Sequence, residues 1–382
     1  MATLFDVYPL LDIEPVKGEG CKIWDKEGKE YLDFYGGHAV ISIGHAHPVY
    51  VQRISEQVAT LGFYSNSVQN PLQRQLAAKL SELSGLKDYQ LFLCNSGAEA
   101  NENAFKLASF HNGRKTIIAF EKGFHGRTSL AVGATDNARI QAPVNDHHTV
   151  ILPLNDEEAL EKAFQEHEVC AVIVEGIQGI GGIYTPKASF MQKIRSLCDV
   201  HQAVFIGDEI QSGVGRSGKF FAFEYAGVTP DLVTIAKGLG NGFPIGGVLI
   251  SPKFEAWHGM LGTTFGGNHL ACQAALAVLE VIETEGLLDR ATKVGEYLIE
   301  QLQGLPGVKE VRGKGLMIAI ELEDEVAPVR KALLKEHHIF TGTAASKTVM
   351  RLLPPLTVTE KEADQFLEAV SKVLKTLVPS HQ

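Results

Sequence analysis

AVFIGDE (203–209) is an apolar run that ends on two carboxylates, and DLVTIAK (231–237), the next such run along the chain, ends on a lysine. Short continuous runs rich in Val and Ile read as strands buried on both faces, which belong to parallel sheets covered by helices. Outward from this pair the pattern repeats. YQLFLC (89–94), KTIIAF (115–120), TVILPL (149–154), CAVIVEG (170–176) and GGVLIS (246–251) are further candidate strands. Helix-like stretches such as GAEANENAFKLASFH (97–111) and ASFMQKIRSLCDVHQ (188–202) lie between them. The expected fold is α/β, with a mostly parallel seven-stranded sheet and a ligand crevice at the carboxyl ends of its strands.

The chain ends read differently. Residues 22–34 (KIWDKEGKEYLDF) predict a hairpin turning at Glu27-Gly28, and 270–304 one amphipathic helix broken near Gly286. A last helix covers TEKEADQFLEAVSKVLKTL (359–377). The division this implies is a large domain at 55–280 and a smaller α+β domain built from 1–54 plus 281–382. With 382 residues there is ample length for a buried core.

Thirty-five basic against 45 acidic side chains give a net charge of −10, which argues against nonspecific nucleic-acid or anionic-membrane binding. The five cysteines (Cys21, Cys94, Cys170, Cys198, Cys272) form no C-x-x-C pair, so a reducing, cytoplasmic setting fits better than a disulfide framework. The first residues, MATLFDVYPLLDIEP, lack the basic start of a signal peptide. No apolar run reaches the roughly 20 residues a bilayer-spanning helix needs.

Polar residues stand at strand ends. Besides Asp208 with Glu209, and Lys237, the run AVIVEGIQGIGG presents Glu175 and Gln178. A lone charge at a strand end is ordinarily just solvated; three successive strands delivering charge to one edge weaken that reading. A fourth element is LFLCNSGAEANENAFKLA, where Ser96 can cap a helix and Glu99 completes a capping box. Gly97 permits a tight turn, and Ala100, Ala104, Leu107 and Ala108 form a face small enough to lie close on a sheet. Capping alone explains Ser96 and Glu99, yet the same helix start offers free N–H groups to a phosphate.

A phosphate nest, a carboxylate and a lysine on one edge are the equipment for pyridoxal phosphate. A lysine of lowered pKa can hold the cofactor covalently, and an aspartate can keep its ring nitrogen protonated. At about 4 Å and an effective dielectric near 20, that charge pair is worth roughly 4 kcal/mol, or about three pKa units. In EKGFHGRTSLAVGAT (121–135), Phe124 could cover a planar ring and Arg127 grip a carboxylate; core packing and a surface ion pair are the plainer alternatives. Arg351 lies inside the apolar run VMRLLPPLTVT, where an unpaired guanidinium is costly, so it needs a carboxylate from the protein or from a ligand.

Other patterns are set aside. GVGRSG (213–218) spells G-x-G-x-x-G, but Asp208 to Ser212 intervene after the strand and KFFAFEY follows in place of a small-faced helix. As a phosphate-binding G-x-x-x-x-G-K it fails because Phe220 stands where Ser or Thr is required. His38, His45 and His47 lack acidic or thiolate neighbours at metal-ligand spacing, so no metal site is expected. There is no G-x-S-x-G elbow.

The chain resembles the class III (ornithine-type) aminotransferases of the fold type I pyridoxal-phosphate enzymes. The resemblance runs through YLDFYGGHAVISIGHAHP (31–48), NSGAEANENAFKLA (95–108), FHGRT (124–128), VEGIQGIGG (174–182) and GDEIQSGVGRSGKFFAFE (207–224). It continues through IAKGLGNGFPIGG (235–247), GTTFGGNHLACQAAL (262–276) and RLLPPLTVT (351–359). It implies that Lys237 carries the cofactor and, once released, shuttles a proton between substrate and cofactor. Asp208 would pair with the ring nitrogen, Gln211 approach the ring hydroxyl, and Phe124 and Ile210 lie on opposite faces. Ser96, Gly97 and Ala98 would hold the phosphate, with Thr264 reaching it from a neighbouring subunit, which makes a homodimer with shared active sites. Arg127 would hold the α-carboxylate of an acylated ornithine and Arg351 that of 2-oxoglutarate, with Glu175 masking Arg351 when the other substrate is bound.

The short length, FHGRT and RLLPPL resemble most the branch that moves the δ-amino group of N2-acetyl-L-ornithine to 2-oxoglutarate. Its products are N-acetyl-L-glutamate 5-semialdehyde and L-glutamate, a step of arginine biosynthesis. N2-succinylornithine, ornithine and 4-aminobutyrate are the alternative donors. An NAD-linked dehydrogenase, resting on GVGRSG, and a noncatalytic binding protein are the readings from other classes. The sequence departs from the family pattern at Gly176 (usually Pro), Ile180 (usually Glu) and His269 (usually Pro). It departs also in Gly238-Leu239-Gly240-Asn241-Gly242 (usually Ala-Leu-Gly-Gly-Gly) and in Gly37-His38-Ala39-Val40-Ile41 (usually Gly-Ile-Ala-Val-Asn).

Overall fold

The computed structural model describes residues 2–145 and 148–377. All seven apolar runs form strands of one sheet: β1 (Gln90–Cys94), β2 (Thr116–Phe120), β3 (Thr149–Leu152), β4 (Val169–Glu175), β5 (Val204–Asp208), β6 (Leu232–Ile235) and β7 (Gly246–Ile250). Their spatial order is β1-β7-β6-β5-β4-β2-β3. The five strands from β3 to β6 are parallel to their neighbours. Only β7 runs antiparallel, to both β1 and β6. The cause is the connection: the lysine-bearing loop after β6 is too short to carry a crossover helix, so the chain must turn straight back.

Side chains alternate across this sheet with period two. Ala171, Ile173, Val204 and Ile206 face the helix Gly97–Asn112, whose Ala100, Ala104, Leu107 and Ala108 are buried as the small face predicted. Val172, Val174 and Phe205 face the opposite layer with Phe190, Ile194 and Cys198 of the helix Ala188–His201. Helices on both faces leave the strand ends as the only place where the sheet can present chemistry.

The two chain ends build two four-stranded sheets. One holds Pro15–Glu19, Lys22–Asp25, Glu30–Asp33 and Ile339–Phe340, so the hairpin near Gly28 forms and the C-terminal third adds its last strand. The other holds Val308–Lys314, Met317–Leu322, Gly342–Thr343 and Val349–Leu352, the last carrying Arg351. The expected long helix is two, His269–Thr284 and Leu287–Leu302, broken at Gly286. Its φ of 61° is left-handed backbone that a side chain would resist.

Candidate active site

Three adjacent parallel strands bring their ends together. Glu175 closes β4 in register with Asp208 at the end of β5, Asp208 is in register with Thr234 of β6, and Lys237 follows β6 by two residues. The helix Gly97–Asn112 begins beside them. Ser96 Oγ accepts the Glu99 N–H (3.2 Å), but Glu99 reaches back to the N–H of Asn95 (2.6 Å), one residue before the expected cap. Gly97 and Ala98, at the first two helical positions, have N–H groups without intrahelical acceptors.

These elements enclose a cavity of about 360 Å3. Its walls include Ser96, Gly97, Ala98, Phe124, Arg127, Glu175, Asp208, Ile210, Gln211 and Lys237, ten of the twelve residues singled out from sequence. The loop carrying Phe124 and Arg127 comes very close to the helix start: a Cβ on Gly126 would stand 2.8 Å from that of Ala98. The two others differ. Arg351 lies behind Gln211, and Thr264 is exposed on the loop after β7, away from this chain's own cavity walls.

Asp208 is the most elaborately held group. Its Oδ2 accepts from His125 Nδ1 (2.7 Å) and Asn101 Nδ2 (2.9 Å), and its Oδ1 from the Ile210 N–H (3.1 Å). Asn101 also donates to the His125 carbonyl (2.7 Å), so acid, imidazole and amide form one buried unit. Three donors on its two oxygens fix the direction of this carboxylate. His125 and Asn101 were given no role from sequence. His125 sits inside the quoted FHGRT motif, and Asn101 is five residues past the cap, on the face turned to the sheet.

The Lys237 amine is drawn below its ordinary pKa, chiefly by burial, with Arg351 adding while Asp208 and Glu175 oppose. It makes no hydrogen bond to any described residue. Glu175 is pushed up to about 6, first by burial and then by Asp208, against the pull of His125. Both its oxygens are engaged by main chain, Oε1 by the Phe124 N–H (2.9 Å) and Oε2 by the Gly179 N–H (2.8 Å). The expected masking contact between Glu175 and Arg351 is therefore not made in this structure. The turn after β4 aims the Gly179 N–H at one oxygen, and the loop after β2 aims the Phe124 N–H at the other.

Arg351 is almost fully buried, yet its hydrogen-bond acceptors are neutral: the Thr343 carbonyl (2.5 Å) and Gln211 Oε1 (3.1 Å). Among the described residues no carboxylate is hydrogen-bonded to it. Gln211 passes the connection on by donating to the His38 carbonyl (3.0 Å). Arg127, at the rim, has no hydrogen bond or ion pair with any described residue. His45 pairs with Asp33 (2.8 Å), His47 with Glu285 (2.9 Å), and His38 with the Tyr35 hydroxyl.

Glu209, Asp208's neighbour, is turned away from the cavity walls. It accepts from Ser212 Oγ (2.8 Å) and the N–H groups of Ala222 and Phe223 (both 2.9 Å), and burial raises it to about 7. Such a group binds its proton more tightly folded than unfolded. The stabilisation is complete below the unfolded pKa near 4.5 and is lost as pH rises through about 7. Thermal melts of wild type and Glu209→Gln across pH 4.5–8 should therefore diverge, with roughly 3 kcal/mol of the wild type's pH dependence missing from the variant. Parallel curves would mean Glu209 does not titrate in this range.

The donor set fits pyridoxal phosphate: free N–H groups at a helix start for an anion, the apolar side chains of Phe124 and Ile210 on the cavity wall, a buried oriented carboxylate, and an amine of lowered pKa. When bound, that cofactor supplies an electron sink for a carbanion next to nitrogen.

The class-III aminotransferase family model matches residues 6–374. The acetylornithine aminotransferase of Nitrosomonas europaea is 41% identical over 394 residues, covering 100% of this chain and 99% of that protein. That of Bacillus subtilis is 42% identical, with 100% and 99% covered. A solved ornithine aminotransferase of Toxoplasma gondii, described with partial occupancy of PLP at its active site, superposes with a TM-score of 0.90 at 29% identity, covering 97% and 91%. The chain belongs to the class-III aminotransferases, and it is a pyridoxal-phosphate-dependent transaminase acting on small molecules.

Proposed function

We propose that the protein moves the δ-amino group of N2-acetyl-L-ornithine to 2-oxoglutarate by a ping-pong route, in arginine biosynthesis. The observation that carries this reading is the single cavity in which the Lys237 amine and the Asp208 carboxylate meet, with an unpaired Arg127 at its rim. Full-length relatives named for the acetylornithine reaction support the donor. Lys237 holds the cofactor aldehyde and later moves the proton. Asp208 faces the ring nitrogen, Gln211 the ring hydroxyl, and Phe124 and Ile210 the two ring faces. Ser96, Gly97 and Ala98 hold the phosphate. Arg127 grips the donor's α-carboxylate and Arg351 that of 2-oxoglutarate.

Arg127 is the only guanidinium on the described cavity walls. One such group suits acetylornithine's one carboxylate; the second acid of succinylornithine would lack a matching cation. Glu175 must leave the Phe124 and Gly179 N–H groups to reach Arg351. The expected result of Glu175→Ala is a slower first half-reaction or a looser donor range, with the second half-reaction intact. Single-turnover rates on acetyl-, succinyl- and free ornithine test both points. Equal rates for the three donors would defeat the substrate assignment, and unchanged rates in both halves the switch.

The homodimer with shared sites belongs to the same reading. It is supported by the helix Pro48–Thr60, which has no buried residue, and by Phe63, Tyr64 and Phe265, exposed around Thr264. A second copy covering that surface would bring Thr264 to the partner's phosphate site. The division into a 55–280 domain and a smaller one from both ends rests on the separate sheets. A cytoplasmic setting is supported by five free, buried cysteines; among the described residues no helix is long and apolar enough to cross a membrane.

A further inference from the structure

Two residues of the loop after β6 have left-handed backbone although neither is glycine: Lys237 (φ 42°) and Asn241 (φ 46°). Non-glycine residues hold such angles only where their surroundings fix them. Side-chain hydrogen bonds supply that fixing here. Asn241 is 5% exposed, and its carboxamide is engaged through both terminal atoms on another segment: Oδ1 accepts the N–H groups of Ser42 (2.8 Å) and Ile43 (3.1 Å), and Nδ2 donates to the Gly44 carbonyl (2.9 Å). From the other side, Ser42 Oγ donates to the Gly238 carbonyl (2.6 Å), one residue from the lysine.

The stretch leading into the gripped residues also departs from ordinary backbone. Gly36, Gly37, His38 and Ala39 all have φ between 54° and 65°, and Val40 follows as a cavity wall. Two loops in strained conformations, about 200 residues apart in sequence, thus brace each other through one amide and one hydroxyl. Among the described residues, none is hydrogen-bonded to the Lys237 amine. Its position is set from the backbone.

We propose that Asn241, with Ser42, is a positioning residue for Lys237: the clamp onto Ser42–Gly44 sets where the amine stands over the cavity. This rests on the proposed role of Lys237 as the cofactor-bearing lysine and extends it to a residue that touches neither cofactor nor substrate. Displacing a reacting group by about 1 Å costs on the order of 10²-fold in rate while leaving the pocket's binding groups in place.

The test uses the full-length chain freed of cofactor, as wild type, Asn241→Gly and Ser42→Ala. Glycine accepts the left-handed angle, so Asn241→Gly removes the carboxamide without adding backbone strain; Ser42→Ala opens the clamp from the other side should the first variant fold poorly. Pyridoxal 5'-phosphate is added and covalent capture at Lys237 is followed by the visible band near ~420 nm, beside melting temperature and steady-state constants. The expected result is capture and kcat slowed together, roughly tenfold or more in Asn241→Gly, with KM for both substrates within about twofold. Wild-type capture and kcat in both variants, whatever the fall in melting temperature, would reduce the clamp to fold maintenance and overturn the proposal; so would a raised KM at unchanged kcat. Failure of the wild type itself to capture the cofactor at Lys237 would instead overturn the proposed function.

Discussion

Lys237→Ala is expected to lower kcat by roughly four orders of magnitude while leaving the fold and the phosphate-binding end of the cavity intact. The amine's lowered pKa, set mainly by burial, favours its action as a nucleophile and a proton carrier. Both abilities vanish together when the side chain is truncated. The free N–H groups of Gly97 and Ala98 do not depend on Lys237, so cofactor should still associate without covalent capture. Melting temperature and a borohydride-insensitive spectrum check the first part, and single-turnover rates the second. A variant retaining even a tenth of wild-type kcat would show that another group moves the proton.

Asp208→Asn is the second large effect, expected at about 10³-fold in kcat. A contact charge pair at an effective dielectric near 20 is worth roughly 4 kcal/mol, or about three decades. Asparagine preserves the volume, but its amide cannot accept with both terminal atoms from His125, Asn101 and the Ile210 N–H. The buried unit therefore loses its charge and one of its acceptor atoms at once. The loss should appear in both half-reactions by a similar factor, because the same ring is served in each. Steady-state and single-turnover rates measure it; a loss confined to one half-reaction would mean that Asp208 acts on a substrate and not on the cofactor.

The sheet was readable because strand and cap signals are local. Short apolar runs marked all seven strands, and the residues that end three of those runs, Glu175, Asp208 and Lys237, are neighbours because parallel strands end on one edge. What sequence spacing cannot carry is the company these residues keep. His125 and Asn101 reach Asp208 from 83 and 107 positions away, and neither separation leaves a trace in periodicity. The Glu99 cap slips by one residue because its carboxylate finds the Asn95 N–H first. Glu175 looked free to face Arg351, yet a turn of three residues after β4 supplies a nearer donor in Gly179. GVGRSG, set aside as a dinucleotide motif, contains Arg216, a buried guanidinium whose acceptors are carbonyls of Ile41, Leu316 and Pro354. Its glycine spacing serves a tie between distant segments, which no local pattern announces.

The most direct check on the account is borohydride reduction of the holoenzyme followed by peptide mapping. The prediction is loss of the visible band near ~420 nm with the cofactor mass on one peptide, the one containing Ile235-Ala236-Lys237. A reduced protein carrying the label on any other lysine, or carrying none, would contradict it.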